Sequence, residues 1–290
     1  MPPRQKTLRD FIQRAYIVCY KENIDVLSEA LECQGIDCVV CRQVHRPGHE
    51  TYSSSYLCLL NHVGIWKNIV DRNELGLIVE ADFVPTRRMM DLPVPFDVEP
   101  SDQGNDHDRP IQNLGMSWLY TCAPQVYSVS AQGKAIGFSA STVAYVVSPQ
   151  AAQVLLKYAE AIRENPGPTQ YSSWDSGIEE VMRKHQLQSY IAFRCYGEHG
   201  GKANPEHRLN GLSPEHRADI LYDDLAFLPP YATDESLPWL TLFLTRCQGR
   251  IKGLGRLLLG RYIRLQTLKK SSIPLRIIRF VISRHLTARV

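Results

Sequence analysis

Leu75-Gly76-Leu77-Ile78-Val79-Glu80-Ala81-Asp82 decides how this chain is read. A continuous apolar run stopped by two carboxylates does not alternate as a half-exposed strand does. It fits a strand covered on both faces, and such strands sit in α/β layers with helices above and below the sheet. Upstream, Tyr56, Leu59, Val63, Trp66 and Val70 recur at helical spacing. Before them the polar residues 45–55 read as a loop, Val39-Val40 as a strand and residues 24–31 as a helix. Ala15-Tyr16-Ile17-Val18-Cys19-Tyr20, rich in strand formers, is the first strand. Strand, helix, strand, helix, strand is the α/β alternation.

Downstream, residues 91–113 are rich in Pro, Asp and Asn and predict a long loop. Trp118-Leu119-Tyr120 and residues 136–147 predict further strands. Ser148-Pro149 opens a helix, with Ser as N-cap and Pro at the first helical position. Its apolar stripe is Ala151, Leu155, Tyr158 and Ile162, and Asn165-Pro166-Gly167-Pro168 ends it. A short helix over 174–185 and a strand at Tyr190-Ile191-Ala192-Phe193 complete the pattern. There is no internal repeat or low-complexity segment.

The 290 residues are 44% hydrophobic and 22% charged, which excludes a wholly disordered or collagen-like chain. The net charge of +3 hides a division. Residues 237–290 hold 12 Lys/Arg and no Asp or Glu, leaving 21 basic and 30 acidic residues before them, a net −9. An acidic body over 15–236, preceded by a polar segment over 1–14, is joined to a basic tail over 237–290. The opening segment lacks the apolar core of a secretory leader, so the eight cysteines are expected as reduced thiols in the cytoplasm. No apolar run reaches the roughly 20 residues needed to span a bilayer.

Three places could carry chemistry. In an open α/β sheet, ligands bind beyond the carboxyl ends of the strands, where Glu80 and Asp82 stand. Two carboxylates that close repel unless a cation lies between them, and hard oxygen ligands suit Mg²⁺ or Mn²⁺ shared with substrate phosphates. The other reading is two acids ending a strand in solvent. Gly197-Glu198-His199-Gly200-Gly201, followed by Asn204-Pro205-Glu206-His207, lets backbone approach a ligand closely, with His199 as a metal or diphosphate contact, or else forms a plain surface turn. Asp175, at a helix start, is either a proton acceptor for an attacking hydroxyl or a first-turn acid favoured by the helix dipole. Cys38, Cys41, His45 and His49 are zinc-type residues packed too closely in sequence to wrap an ion. The glycine fingerprint of dinucleotide binding, the P-loop and the Gly-x-Ser-x-Gly elbow are all missing, which argues against a nicotinamide dehydrogenase, a P-loop nucleotidase and a typical serine hydrolase.

Taken together, the segments resemble glycosyltransferase family 25, the lipopolysaccharide/lipooligosaccharide biosynthesis transferases. The resemblance begins at the strand Ala15 to Tyr20 and continues through Leu57-x4-His62-x3-Trp66-x2-Ile69. It peaks at Leu77-Ile78-Val79-Glu80-Ala81-Asp82, similar to that family's apolar strand ending in Glu-Asp-Asp, and extends through residues 137–148 into the helix with Ala151-Ala152 and Leu155-Leu156. It covers about residues 15–212. Asn61 stands where the family usually has Ser, and Ala81 replaces the middle acid. The resemblance implies a GT-A-like single Rossmann-type domain with a mixed central sheet. It also implies transfer of a sugar from a nucleotide-diphosphate donor to a glycan or lipid-linked acceptor, assisted by Mn²⁺ or Mg²⁺. On this reading Asp82, Glu80 and His199 are the metal candidates, and Glu80, His62 and His199 touch the donor. Asp175 is the catalytic base if configuration inverts. A non-catalytic membrane adaptor with a degenerate transferase fold is the alternative.

In the tail, Ile251, Leu254, Leu258, Tyr262 and Leu265 recur at helical spacing, as do Leu275, Ile278, Ile282 and Leu286 after Pro274. A basic amphipathic helix of this kind suits an anionic membrane and implies a peripheral place on its inner face. The same charge also suits docking onto the acidic body. Nucleic acid is disfavoured by the shortage of aromatic residues for base stacking.

Overall fold

The computed structural model of the chain describes residues 5–98, 113–202 and 215–286. The decisive segment is the central strand β3 (Gly76–Glu80), buried along Gly76 to Val79. An eight-stranded sheet runs in the order β2 (Asp37–Arg42), β1 (Arg14–Cys19), β3, β8 (Ala144–Val147), β5 (Leu114–Trp118), β9 (Gln188–Ile191), β7 (Ala135–Phe138), β6 (Gln125–Val129). β1 pairs parallel with β2 and β3, and β5 with β9; the pairs made by β8, β7 and β6 are antiparallel. The result is an α/β fold with a mixed central sheet, as the sequence implied.

Side chains on successive strand residues point to opposite faces, and two cores follow. Ala15, Ile17, Cys19, Leu77 and Val79 pack under α1 (Asp25–Glu32) with Phe96 and Tyr196. Tyr16, Val18, Ile78, Tyr145 and Val147 pack under α2 (Ser54–Arg72), α3 (Pro149–Glu164) and α4 (Ile178–Lys184). Ser53 and Ser148 cap α2 and α3 by accepting the Tyr56 and Ala151 backbone N–H at 3.2 and 3.1 Å.

Several elements depart from expectation. The expected strand over 136–147 is two strands, β7 and β8, and Leu119-Tyr120 lie beyond the end of β5. β6 was not foreseen, nor was the small antiparallel ribbon of β4 (Phe83–Pro85) and β10 (Gly197–His199), which replaces the expected glycine-rich turn. The helix over 174–185 is a 3₁₀ turn followed by α4. Residues 99–112 of the expected loop, and Asn204-Pro205-Glu206-His207, lie outside the described residues.

The basic tail follows the short α5 (Pro230–Thr233) as α6 (Pro238–Leu258), α7 (Leu265–Lys270) and α8 (Pro274–Leu286). Its helices pack on the body, and apart from the buried Tyr262 the side they bury is not the periodic apolar one. Ile251, Leu254, Leu258, Leu265, Leu275, Ile282 and Leu286 are exposed, whereas Arg246, Gly249 and Gly253 of α6 and Arg284 of α8 are buried. The cause is two buried carboxylates. Glu198 on β10 takes Arg246, whose Nη1 also donates to the Ala218 carbonyl at 2.7 Å. Asp219 takes both Nη atoms of Arg284 and the Tyr262 hydroxyl at 2.7 Å. Ile277, Phe280 and Val281 add an apolar contact with Val126, Val129 and Ile191.

Removing one partner of a buried pair leaves an uncompensated charge, which typically costs about 3–5 kcal/mol. Asp219→Asn should lower stability by roughly that amount, read as a shifted urea midpoint. His285, beside this pair, is held down to about 4 from its ordinary 6.5 by burial and by the neighbouring Arg284, Arg250 and Arg194, against the pull of Asp219. A depressed histidine means the unfolded chain takes up the proton first as pH falls. Stability should therefore be full above about 6.5 and decline toward pH 4, by up to ~3 kcal/mol. Urea titrations across that range, with His285→Gln as the flattened control, check it.

Candidate functional site

The antiparallel insertion of β8 beside β3 builds the site. Because the two strands run oppositely, the residues entering β8 meet the carboxyl end of β3. The Glu80 N–H donates to the Val143 carbonyl at 2.9 Å, and the Thr142 hydroxyl donates to Glu80 Oε1 at 2.7 Å. On the other side of β3, the Ala81 N–H donates to the Val18 carbonyl at 2.8 Å. The chain then turns into β4, and the β4–β10 ribbon carries His199 to Asp82.

His199 Nε2 lies 2.9 Å from Asp82 Oδ2, and its Nδ1 faces the His216 carbonyl at 3.2 Å. A carbonyl accepts only, so Nδ1 carries a proton and Nε2 is the atom turned to Asp82. Burial alone would lower the His199 pKa, but the Asp82 charge and hydrogen bond, with Glu80 adding, raise it to about 9. Burial likewise pushes the Asp82 carboxyl up, and His199 with Arg217 more than offsets it, holding it below its ordinary value. At neutral pH the two form an imidazolium–carboxylate pair. Among the described residues, Asp82 Oδ1 is buried with no hydrogen-bond partner. The close packing depends on glycine: a Cβ on Gly201 would come 2.3 Å from Asp82 Oδ2. Arg217 donates to the His199 and His216 carbonyls at 3.1 and 3.2 Å and stacks 4.2 Å over the Tyr231 ring.

His62, fully buried on α2, points to the same strand end, with Nε2 3.7 Å from Glu80 Oε1. Its Nδ1 lies 2.9 Å from the Tyr145 hydroxyl, which also accepts from Trp66 Nε1 at 2.9 Å. An indole N–H only donates, so the Tyr145 hydroxyl accepts from Trp66, while the direction of its bond with His62 Nδ1 is set by the His62 tautomer. Cys58, one helical turn before His62, joins it and Glu80 in a group whose donor atoms lie within 4.8 Å of one another. Asn61 ties α2 to the end of β1 by donating to the Cys19 carbonyl at 3.3 Å. Asp175 is half-buried and follows Trp174, whose ring lies 5.2 Å from His62 and whose Nε1 donates to the Ser55 carbonyl at 3.0 Å.

Glu80, Asp82, His62 and His199 are thus gathered at the carboxyl edge of the sheet, His62 wholly inside the core, and Asp175 follows Trp174 beside His62. Glu80, Asp82 and His199 do not form one tight triad: Asp82 pairs with His199, and Glu80 stands with Thr142, His62 and Cys58. Thr142, Arg217 and Cys58 were not foreseen. Of these only Cys58 left a signal, its four-residue spacing from His62 on one helix face. Cys38, Cys41, His45 and His49 do not converge; His45 stacks on Tyr20 at 4.7 Å and His49 on Tyr52 at 5.0 Å. A cavity of about 460 Å³ lies away from the site, lined by Lys134, Phe193, Arg276 and Phe280 among others.

Asp82 Oδ1 is the oxygen here that could meet a divalent cation; His199 Nε2 carries the proton it shares with Asp82 and would ligate only on losing it.

No family model and no curated protein matches the sequence. Among solved structures, the chain is similar to the crystal structure of a glycosyltransferase involved in the glycosylation of the major capsid of PBCV-1. The two share 10% identity at a TM-score of 0.38, over 62% of this chain and 81% of that one. At those values the likeness says nothing of individual residues.

If Asp82 holds the His199 proton, Asp82→Asn should bring the His199 titration down from about 9. Imidazole NMR shifts followed against pH measure this directly, and an unmoved titration contradicts the pairing.

Proposed function

We propose that the chain is a glycosyltransferase moving a sugar from a nucleotide-diphosphate donor to a glycan or lipid-linked acceptor in cell-surface polysaccharide (lipopolysaccharide-type) biosynthesis. The observation that carries the reading is the buried Asp82 Oδ1, without a partner among the described residues, beside the Asp82–His199 pair at the carboxyl edge of β3. The resemblance of four segments to glycosyltransferase family 25 supports it. Asp82 would hold Mn²⁺ or Mg²⁺ through Oδ1, with His199 joining once its Nε2 proton has left and Glu80 assisting through the metal or the donor ribose. Bound there, the cation supplies Lewis-acid stabilisation of the charge that gathers on the departing diphosphate.

The chain's own groups do the rest. Thr142 fixes the Glu80 carboxylate by a hydrogen bond at 2.7 Å, so it needs no reorganisation when the donor arrives. Arg217, held flat on Tyr231, adds positive potential on the diphosphate side. Asp175 accepts the proton of the acceptor hydroxyl as that oxygen attacks the anomeric carbon. The acceptor is met at the inner face of a membrane, with the protein in the cytoplasm.

One observation favours the second reading, a non-catalytic adaptor: His199 already neutralises Asp82. The two readings part in one experiment. Nucleotide sugars are tested for thermal shift and for donor hydrolysis with and without Mn²⁺, on the wild type and on Asp82→Ala. Transfer chemistry gives Mn²⁺-dependent turnover that falls on the order of 100-fold in Asp82→Ala. Equal turnover in both proteins removes the metal site, and no binding of any nucleotide sugar selects the adaptor.

A further inference from the structure

Helix α6 is built with its apolar side outward. The side against the body consists of Arg246, Gly249 and Gly253, all buried. There the backbone sits so close that a Cβ on Gly249 would come 2.7 Å from the Ala218 carbonyl oxygen, and one on Gly253 2.9 Å from Asp219 Cβ. About a third of a turn away, at the 3.6-residue period, runs a single stripe of Leu240, Phe243, Leu244, Ile251, Leu254 and Leu258. These six side chains are 38–87% exposed, and Trp239 at the head of the helix is 69% exposed. A contiguous apolar stripe of this length on a water-facing helix marks an interaction surface.

Charge identifies what covers it. Lys252, Arg261, Arg264, Lys269 and Lys270 are exposed on and just after the helix, and residues 237–290 contain no Asp or Glu. An apolar stripe with a tryptophan at one end, Lys252 beside it and four more exposed cations beyond the other end matches the boundary between anionic headgroups and acyl chains, where long basic side chains reach up to the headgroups. No helix among the described residues is long and apolar enough to cross a membrane, so the helix would lie in the plane of the surface.

We propose that α6 seats the protein on an anionic lipid surface through the Leu240–Leu258 stripe while its opposite side stays locked to the body through Arg246. Membrane seating and docking on the body, which the sequence offered as alternatives, then use different sides of one helix. Arg246 pairs with Glu198, and the next residue is His199 of the candidate site. The lipid-facing helix and the site are joined by one ion pair and one peptide bond, so the site lies on the body side of the helix that meets the lipid. The inference does not depend on sugar transfer.

The test is co-sedimentation of the full chain with phosphatidylcholine vesicles with and without phosphatidylglycerol, at low and high salt. The comparison variant carries Leu240→Ser, Leu244→Ser, Ile251→Ser and Leu258→Ser together. These positions are exposed, so the variant should keep the wild-type melting temperature. The wild type should bind the anionic vesicles, lose binding at high salt and bind neutral ones about tenfold less or weaker. The variant should lose on the order of tenfold or more in binding to the anionic vesicles. Equal binding by variant and wild type overturns the proposal, as does equal binding to neutral vesicles. A salt-insensitive dimer in light scattering with no vesicle binding assigns the stripe to a second copy and also overturns it. Because no nucleotide sugar is present, failure here is distinct from failure of the transferase reading.

Discussion

Two carboxylates that cannot be left alone organise this molecule. Glu198 and Asp219 are essentially inaccessible to water, and each is matched by an arginine from the basic tail. Burying an ion without a partner costs several kcal/mol, so the tail is obliged to present Arg246 and Arg284 inward. Everything else about the tail follows. Glycines stand beside Arg246 so that α6 can approach, Tyr262 turns its hydroxyl to Asp219, and the leucines are left outside. The split between an acidic body and a basic tail, seen first as arithmetic, is therefore partly an interior matter.

The same segment ties the tail to the chemistry. Glu198 Oε1 accepts from the His199 and Ala218 backbone N–H groups at 3.0 and 2.7 Å, so the arginine that fixes Glu198 also fixes the strand presenting His199. His199 in turn sets the charge state of Asp82. A site at the rim of the sheet is held from below by β3 and from the side by β10, whose sequence neighbours are far from those of β3.

What the sequence disclosed, and what it did not, follows the range of the interactions. β3, α2 and α3 were legible because their signals are local: an unbroken apolar run, a 3.6-residue period, a Ser-Pro start. Glu80 and Asp82 were legible for the same reason, as acids ending a covered strand. β10 was not, because Gly197-Glu198-His199 becomes a strand only by pairing with β4, more than a hundred residues earlier. The orientation of α6 was not, because periodicity reports that a helix has two sides without saying which one faces inward. The deciding facts are Glu198 and Asp219, and nothing in their local sequence marks them as buried.

Arg284 follows Asp219 by 65 residues. A ribosome delivers the chain from the amino end, so the acid emerges well before the cation that neutralises it. Until α8 appears, Asp219 must keep its hydration shell, and the body cannot seal around it. Final closure of this interior is thus deferred until α8 has been translated, although the sheet strands are all available earlier.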